Sequence, residues 1–258
     1  EFRRVLFRSI QGCSSLTSID LKKFKTEKVK DMITMFSGCS SLTSLDLSNF
    51  HTPNLKDLYS MFENCDSLTN LNVENMNTSL VEDFGNLFHG CSNLTSLNLE
   101  NFDTSNAIYL NSLFKECISL TYINLNNFNT SNVAEMKEMF SYCYSLTSID
   151  ISNFDTSNVY DMNRMFYACS SLEKLDLSNF NTPNLAVIDN LFAFCTSLTY
   201  IDISNFDALY VPKYNNIFEG INNKGIILYN STILPKKFVD NIPKTWECND
   251  IGNISLIY

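Results

Sequence analysis

A spacing of 26 residues constrains this chain more than any other feature of its sequence. Eight cysteines keep that spacing: Cys13, Cys39, Cys65, Cys91, Cys117, Cys143, Cys169 and Cys195. Two phenylalanine series keep it as well, one from Phe36 to Phe218 and one from Phe24 to Phe206, with Met76 in the single gap. A fixed period between about 20 and 50 residues is typical of a solenoid or another repeat array.

Each repeat unit is predicted to contain a strand and a helix joined by turns. Leu42, Leu45 and Leu47 form an L-x-x-L-x-L pattern, whose alternation indicates a short strand with one buried face. Downstream, the apolar residues have the spacing of one helix face: Leu55, Leu58, Met61, Phe62 and Cys65. Thr52 before Pro53 predicts a helix N-cap, and Gly38 predicts a helix end, as do Asn64 and Gly90.

The repeat resembles a known family. Its L-x-x-L-x-L core, its period and the strings MFSGCSSLTSLDLSNF (35–50) and MFYACSSLEKLDLSNFNT (165–182) are similar to the BspA-like leucine-rich repeat surface proteins. The resemblance covers about residues 10–220 and departs at Phe50, where leucine-rich repeats of plants and animals usually carry Asn or Cys. It implies an α/β leucine-rich-repeat solenoid. We expect right-handed winding, a parallel sheet on the concave face and short helices on the convex face.

The chain divides into three predicted parts. Residues 1–9 do not keep the register, so we interpret them as a non-native or truncated segment. Residues 10–220 form eight repeats, and residues 221–258 form a ninth strand and a C-terminal cap. Within the cap we expect a short helix near residues 236–241, whose Phe238 covers the last apolar layer together with Trp246.

Composition and motifs argue against several classes of function. A net charge of −10 disfavours nucleic acid as a partner, and no apolar run is long enough to predict a membrane span. His51 and His89 have no placed serine and acid, and the sequence has no G-x-S-x-G motif or glycine-rich phosphate loop. We therefore expect a monomer that is not an enzyme and that needs no cofactor.

The cysteine and phenylalanine columns have competing interpretations. The cysteines could bind a metal, form disulfides or be buried thiols, and the absence of paired C-x-x-C or nearby histidines favours buried, unpaired thiols. The phenylalanines could form a ligand-stacking track, but their spacing relative to the leucines favours the core. The asparagines from Asn49 to Asn205 are expected to close backbone turns.

One column of polar residues is predicted to point outward from the strand face. Alternation along each strand exposes the residue between the two buried leucines, together with its neighbour on the same face. The candidate partner-binding residues are Asp20, Asp46, Asn72, Asn98, Asn124, Tyr122, Asp150, Lys174, Asp176, Tyr200 and Asp202. The column could instead keep the sheet soluble and block edge association, or hold Ca²⁺ between adjacent aspartates.

Two functions remain open at the level of sequence. By resemblance, the chain would be a cell-surface or secreted, adhesin-like module that binds a host matrix or plasma protein, such as fibronectin or fibrinogen, or another microbial surface protein. Alternatively, it would be a structural spacer without a ligand of its own. Tyr122, Lys174 and Tyr200 interrupt the small polar residues of the exposed face, which favours recognition.

Overall fold

On its front the solenoid has a short parallel strand in four of the eight repeats where one was predicted, and the other four repeats within residues 10–220 have none. The computed structural model describes residues 10–253, and the predicted non-native segment 1–9 lies outside them. Strands β1 (Ser44–Asp46) and β2 (Asn70–Asn72) pair in parallel. A second parallel sheet contains β3 (Lys174–Asp176), β4 (Tyr200–Ile203), β5 (Ile226–Tyr229) and β6 (Glu247–Asp250).

A second ladder on the back of the solenoid is more continuous than the front one. Isolated parallel bridges connect seven successive rungs at Asp31, Asp57, Asp83, Tyr109, Glu135, Asp161 and Val187. From this segment, backbone N–H groups donate to carbonyls of the next rung, as Leu58 does to Asp83 (3.0 Å) and Phe62 to Leu87 (3.0 Å). The parallel-strand solenoid is therefore confirmed, while right-handed winding and a concave sheet stay predictions.

The predicted convex-face helices are wrong. In residues 10–253 the helical elements are α1 (Lys236–Val239) and a 3₁₀ turn at Ile251–Asn253, and both lie in the C-terminal region. The segment of each rung assigned to a helix is instead a run of β-turns. In one rung, the N–H groups of Met61, Glu63 and Cys65 each donate to the carbonyl three residues earlier.

Left-handed residues explain why no helix forms. Ser60 and Asn64 have φ of 55° and 56°, and the equivalent residues of the following rungs repeat this conformation. They occupy the third position of their turns, where a type II β-turn requires positive φ. A left-handed residue interrupts an α-helix, so Gly38 and Gly90 mark turns and not helix ends. The Ser60 column contains no glycine, although each left-handed non-glycine residue costs about 1–3 kcal/mol.

A buried column of threonines connects the rungs from inside. Each hydroxyl donates to a backbone carbonyl of the next rung and in most rungs also accepts the N–H of that same residue, as Thr52 does with Asn77 at 3.0 and 2.9 Å. Thr52 therefore bridges two rungs and does not cap a helix. The column is 1% exposed at each of Thr26, Thr52, Thr78, Thr104, Thr130, Thr156 and Thr182.

The asparagine column also joins rungs. Asn127 Nδ2 donates to the carbonyls of Leu99, Glu100 and Phe102, and Asn153 makes the equivalent contacts one rung later. The expectation that these amides close backbone turns is therefore corrected: they do bind backbone carbonyls. The carbonyls belong to the preceding rung, however, and not to the turn of the asparagine itself.

The core contains one continuous stack of phenylalanine rings. Neighbouring rings from Phe36 to Phe218 lie 5.6–6.2 Å apart between centroids and are nearly parallel. These rings are buried, as are Met76 and most of the second phenylalanine series. The placement of the phenylalanines in the core is confirmed.

The cysteine column lies beside that stack. The seven cysteines from Cys39 to Cys195 are free and buried, and each Sγ donates to the carbonyl 29 residues earlier, as Cys91 does to Phe62 (3.2 Å). Cys13 is only half-buried, which corrects the expectation for the first member. Burial raises the pKa of the Cys65 and Cys117 thiols to about 12.

At the C-terminal end, aromatic side chains cover the last rung. The predicted short helix is α1, and its Phe238 is fully buried against Phe206, Tyr214 and Phe218. Trp246 is 5% exposed, and its Nε1 donates to the Asn222 carbonyl at 2.8 Å. The added strand β6 pairs with β5 and includes Cys248, which lies outside the 26-residue cysteine column.

Replacing Thr130 by valine is expected to lower the free energy of unfolding by about 1–3 kcal/mol. Valine keeps the shape but leaves the N–H and carbonyl of Asp155, both 2.8 Å from Thr130 Oγ1, without a partner. Denaturant unfolding measures the effect. Thr147→Val is the matched control, because Thr147 is exposed and should change stability by less than about 0.5 kcal/mol. Equal losses in the two variants would contradict the role of the buried column.

Thiol labelling of the native protein is expected to modify the exposed Cys248 first and the half-buried Cys13 slowly. The other seven cysteines should react only in denaturant, because both burial and a raised pKa suppress the thiolate. Mass spectrometry after alkylation identifies the labelled sites. Rapid native labelling of Cys91 or Cys117, or a disulfide within the column, would contradict this assignment.

Candidate functional site

The outward-facing polar column of the front lies where the sequence predicted it. Asp20, Asp46, Asn98, Asp150, Asp176, Lys174 and Tyr122 are exposed, and Asn72, Asn124, Asp202 and Tyr200 are half-buried. The β3–β4 register places Lys174 beside Tyr200, and Asp176 beside Asp202. Tyr122, Asn124 and Asp150 lie in rungs where no strand is assigned.

Every Asp and Asn of this column also stabilises a local backbone turn. The Oδ1 atom accepts the backbone N–H two residues later, as Asp46 does from Ser48 (3.0 Å) and Asn98 from Glu100 (3.0 Å). This Asx-turn follows the front segment of each rung, and it needs only the Oδ1 that Asp and Asn share. The turn therefore explains why the column contains Asp and Asn but leaves open why some members carry a charge.

Hydrogen bonds favour the ionised form of two carboxyl groups of this column. The N–H and hydroxyl of Ser48 lower the pKa of Asp46, and the hydroxyl and N–H of Ser152 lower the pKa of Asp150. Both groups accept local hydrogen bonds that favour the charged form. The front face therefore presents fixed negative charges to solvent.

The outward-facing position two residues before that column carries a different type of residue in different rungs. Across β3 to β6 the register aligns Lys174, Tyr200, Ile226 and Glu247, which differ in charge, size and polarity. Tyr122 is 53% exposed. The sequence singled out Lys174, Tyr122 and Tyr200 but missed Ile226 and Glu247.

A second acidic column lies on the back ladder and was not recognised in the sequence. Asp31, Asp57 and Asp83 stack in successive bridges, and Glu135 and Asp161 continue the column two rungs further on. Burial raises the pKa of the Asp57 and Asp83 carboxyls, and the neighbouring carboxylates of the column add to the rise. Burial also raises the pKa of Asp161.

A recess at the corner between back ladder and front strands is a further feature that the sequence analysis missed. Its volume is about 400 Å³, and its walls are Ser92, Glu116, Ile118, Tyr142 and Tyr144. The signal available in the sequence was that two repeat positions carry larger residues in these rungs. The first position is Gly, Asn or Ala in the other rungs except for Phe194, and the second is small or polar in all of them.

Neither a metal cluster nor a membrane-spanning helix is found in the described chain. Among residues 10–253, no three His, Cys, Asp or Glu side chains are grouped so that they could hold a metal ion. In the same range, no helix has the length and apolar character needed to cross a bilayer.

Family comparison gives the relationship of the chain to known proteins. A family model described as "Mycoplasma protein of unknown function, DUF285" matches residues 6–75, 66–149 and 109–228. The chain belongs to the DUF285 family. The matched segments include the rungs that carry the front column and the corner recess.

Other comparisons add little. No curated protein matches the sequence significantly. Among solved structures, a leucine-rich repeat protein from Bacteroides ovatus matches with a TM-score of 0.38 and 20% identity, over 78% of this chain and 59% of that one. This member of DUF285 therefore spans less than two thirds of the solved protein's length.

The double variant Asp57→Asn/Asp83→Asn is expected to melt about 1–3 °C higher than the parent at about pH 7, allowing for screening of the half-exposed charges. Asparagine keeps the Oδ1 atoms that accept the N–H groups of Tyr59 and Gly85. Because the folded-state pKa values are raised, the ionised carboxylates oppose folding above them, and this opposition disappears as the pH falls through them. Melting curves from about pH 7 to pH 4 should show the difference shrinking.

Asp46→Asn provides a control of opposite sign. The pKa of Asp46 is lowered in the folded state, so its charge favours folding above the ordinary carboxyl pKa and this contribution is lost as the pH falls. The variant should therefore show no gain in melting temperature at about pH 7. A gain equal to that of the double variant would contradict the assignment of burial as the cause.

Proposed function

We propose that the chain is a non-enzymatic binding module that recognises a protein partner through its front face. The observation that carries the proposal is the contrast between the two sides of each front strand. Buried positions repeat Leu or Ile in nearly every rung, whereas exposed positions change from Ser44 to Tyr122, Lys174 and Ile226. A face that only kept the solenoid soluble would have no need for such variation.

Physical features of the face fit recognition of a protein. Hydrogen bonds to neighbouring rungs hold its backbone, so covering the surface would order few additional groups. The carboxyl groups of Asp150, Asp176 and Asp202 would attract a basic partner over a distance set by the ionic strength. Tyr122 and Tyr200 would provide aromatic contact area, which is enriched at the centres of protein interfaces.

The resemblance to BspA-like proteins suggests a cellular location and a class of partner for this proposed module. We place the module on the cell surface or outside the cell, as a monomer, with a host matrix or plasma protein or another microbial surface protein as its partner. The proposed boundaries are eight repeats over residues 10–220 and a ninth strand with a cap over 221–258.

A structural spacer without a ligand is the second candidate. The observation favouring it is that each Asp and Asn of the front column already accepts a turn N–H, so a binding role is not needed to explain those residues. The two candidates differ on whether the charges of the column matter beyond the turn.

The triple variant Asp150→Asn/Asp176→Asn/Asp202→Asn separates the two candidates. Asparagine forms the same turn at Asn72, Asn98 and Asn124, so the fold should persist while three charges disappear. We expect its affinity for a matrix-protein partner to fall about 5- to 30-fold and its dependence on salt to flatten. Binding is measured on a panel that includes fibronectin and fibrinogen, at two ionic strengths.

The control for the triple variant is Lys137→Gln on the back, where Lys137 is exposed. It changes a charge without touching the front face and should leave the affinity unchanged. If the triple variant binds like the parent while Lys137→Gln loses binding, the front face is the wrong surface. If the parent binds no member of the panel at any ionic strength, the spacer becomes the better candidate.

A further inference from the structure

The corner recess is a local departure from the repeat. At the left-handed turn position the other rungs carry a Gly, Asn or Ala, with Phe194 as the exception: Gly12, Gly38, Asn64, Gly90, Ala168 and Gly220. The two rungs of the recess carry Glu116 and Tyr142 there. Two residues further along, where most rungs carry Ser or Thr, these rungs carry Ile118 and Tyr144. Both departures fall in the same two neighbouring rungs, and all four side chains line the recess.

The departure is conformationally costly. Tyr142 has φ of 62°, which is uncommon for a bulky residue and costs about 1–3 kcal/mol. Glycine occupies this position in other rungs without that cost, with φ of 74° at Gly38 and 73° at Gly90. Packing does not require the Tyr144 ring either, since 43% of that side chain is exposed. Tyr142 therefore carries a backbone cost at a position where other rungs have glycine, and Tyr144 leaves much of its ring in solvent where other rungs have serine.

The chemistry of the recess fits a cation. Tyr142 and Tyr144 stand edge to face, with their ring centroids 5.9 Å apart and their planes at 69°. The Glu116 carboxylate is 46% exposed, and its Oε1 lies 3.6 Å from His89 Nε2. Aromatic faces and a carboxylate both attract a positive charge, and the ring faces favour a weakly hydrated one.

Elsewhere in the protein, a tyrosine ring and a glutamate carboxylate already contact an arginine side chain. The guanidinium carbon of Arg164 lies 5.4 Å from the centre of the Tyr167 ring, and Nη1 of Arg164 lies 3.6 Å from Glu138 Oε1. Tyr167 also packs against Tyr142 at 5.1 Å, so the two aromatic groups are adjacent. A tyrosine ring with a neighbouring glutamate therefore already binds a guanidinium group on this surface.

We propose that the corner recess binds an arginine side chain of a protein partner, stacked on Tyr142 and Tyr144 and paired with Glu116. This proposal rests on the proposed function as a protein-binding module and adds a second contact point, at the corner beside the front face. The net charge of −10 favours the approach of such a basic partner. Arginine is preferred to lysine because its planar group stacks on aromatic rings and pairs with carboxylates in a fork.

The test uses the full chain and a capped, fluorescent tetra-arginine peptide, with tetralysine and tetracitrulline peptides for comparison. Anisotropy measures affinity, and the methyl resonance of Ile118 reports whether the peptide enters the recess. We expect tetra-arginine to bind more tightly than tetralysine, tetracitrulline not to bind, and the Ile118 methyl signal to shift only with tetra-arginine. Tyr142→Gly and Glu116→Gln should each weaken binding about 3- to 10-fold.

Two control variants exclude loss of folding and unspecific attraction. Phe194→Gly removes a ring from the same turn position, where φ is also 62°, but outside the recess, and Glu27→Gln removes one exposed charge elsewhere. Both should bind the peptide like the parent. Tyr142→Gly should melt at or above the parental temperature, because glycine adopts positive φ without strain.

The outcomes separate this inference from the proposed function. Equal binding by Tyr142→Gly and the parent, or an unchanged Ile118 methyl signal, would overturn the arginine site. Tetralysine binding as tightly as tetra-arginine would overturn the choice of a guanidinium. If the arginine site fails while the front-face triple variant still loses its partner, only this inference is wrong. If the recess binds tetra-arginine as expected but the triple variant binds the protein partner as tightly as the parent does, the front face is not the binding surface.

Discussion

Hydrogen bonding between successive rungs is the constraint on which the rest of this structure depends. On the back ladder, the N–H groups of Met32, Thr34, Phe36 and Gly38 donate to carbonyls of the next rung, while intervening N–H groups close turns within their own rung. This division satisfies the backbone in two directions at once. An insertion inside a rung would misalign each donor with its acceptor, so the ladder accounts for the constant period of 26 residues.

Stacking in register turns each repeat position into a column with one physical environment. Phenylalanine stacks on phenylalanine, and buried threonine hydroxyls meet backbone groups of the next rung. Polar groups can enter the core because every rung supplies the same partner at the same place. The stack also places like charges together, and at Asp57 and Asp83 the burial of neighbouring carboxylates works against folding.

In such a molecule, the informative residues are those that break a column. Repetition explains the Asp and Asn of the front face through their shared Asx-turn, which leaves Tyr122, Lys174 and Tyr200 as the unexplained members. At the corner, Glu116 and Tyr142 replace residues better suited to a left-handed turn. Both groups lie at least partly on the surface and outside the apolar core, so recognition is the role that the proposals assign to them.

The sequence by itself determined the solenoid, its period, the buried aromatic and cysteine columns and the outward direction of the front residues, because period and alternation depend only on local spacing. It could not determine the conformation of the back. Apolar residues such as Leu55, Leu58 and Met61 recur every three residues, and over so short a segment that spacing fits both a helix and successive β-turns. The choice was made by tertiary structure. Hydrogen bonds to the neighbouring rung hold Ser60 and its equivalents in the left-handed region, and the sequence has no glycine at this position that would have indicated it. Stacking of the rungs also brings Glu116, Tyr142 and Tyr144 around one recess.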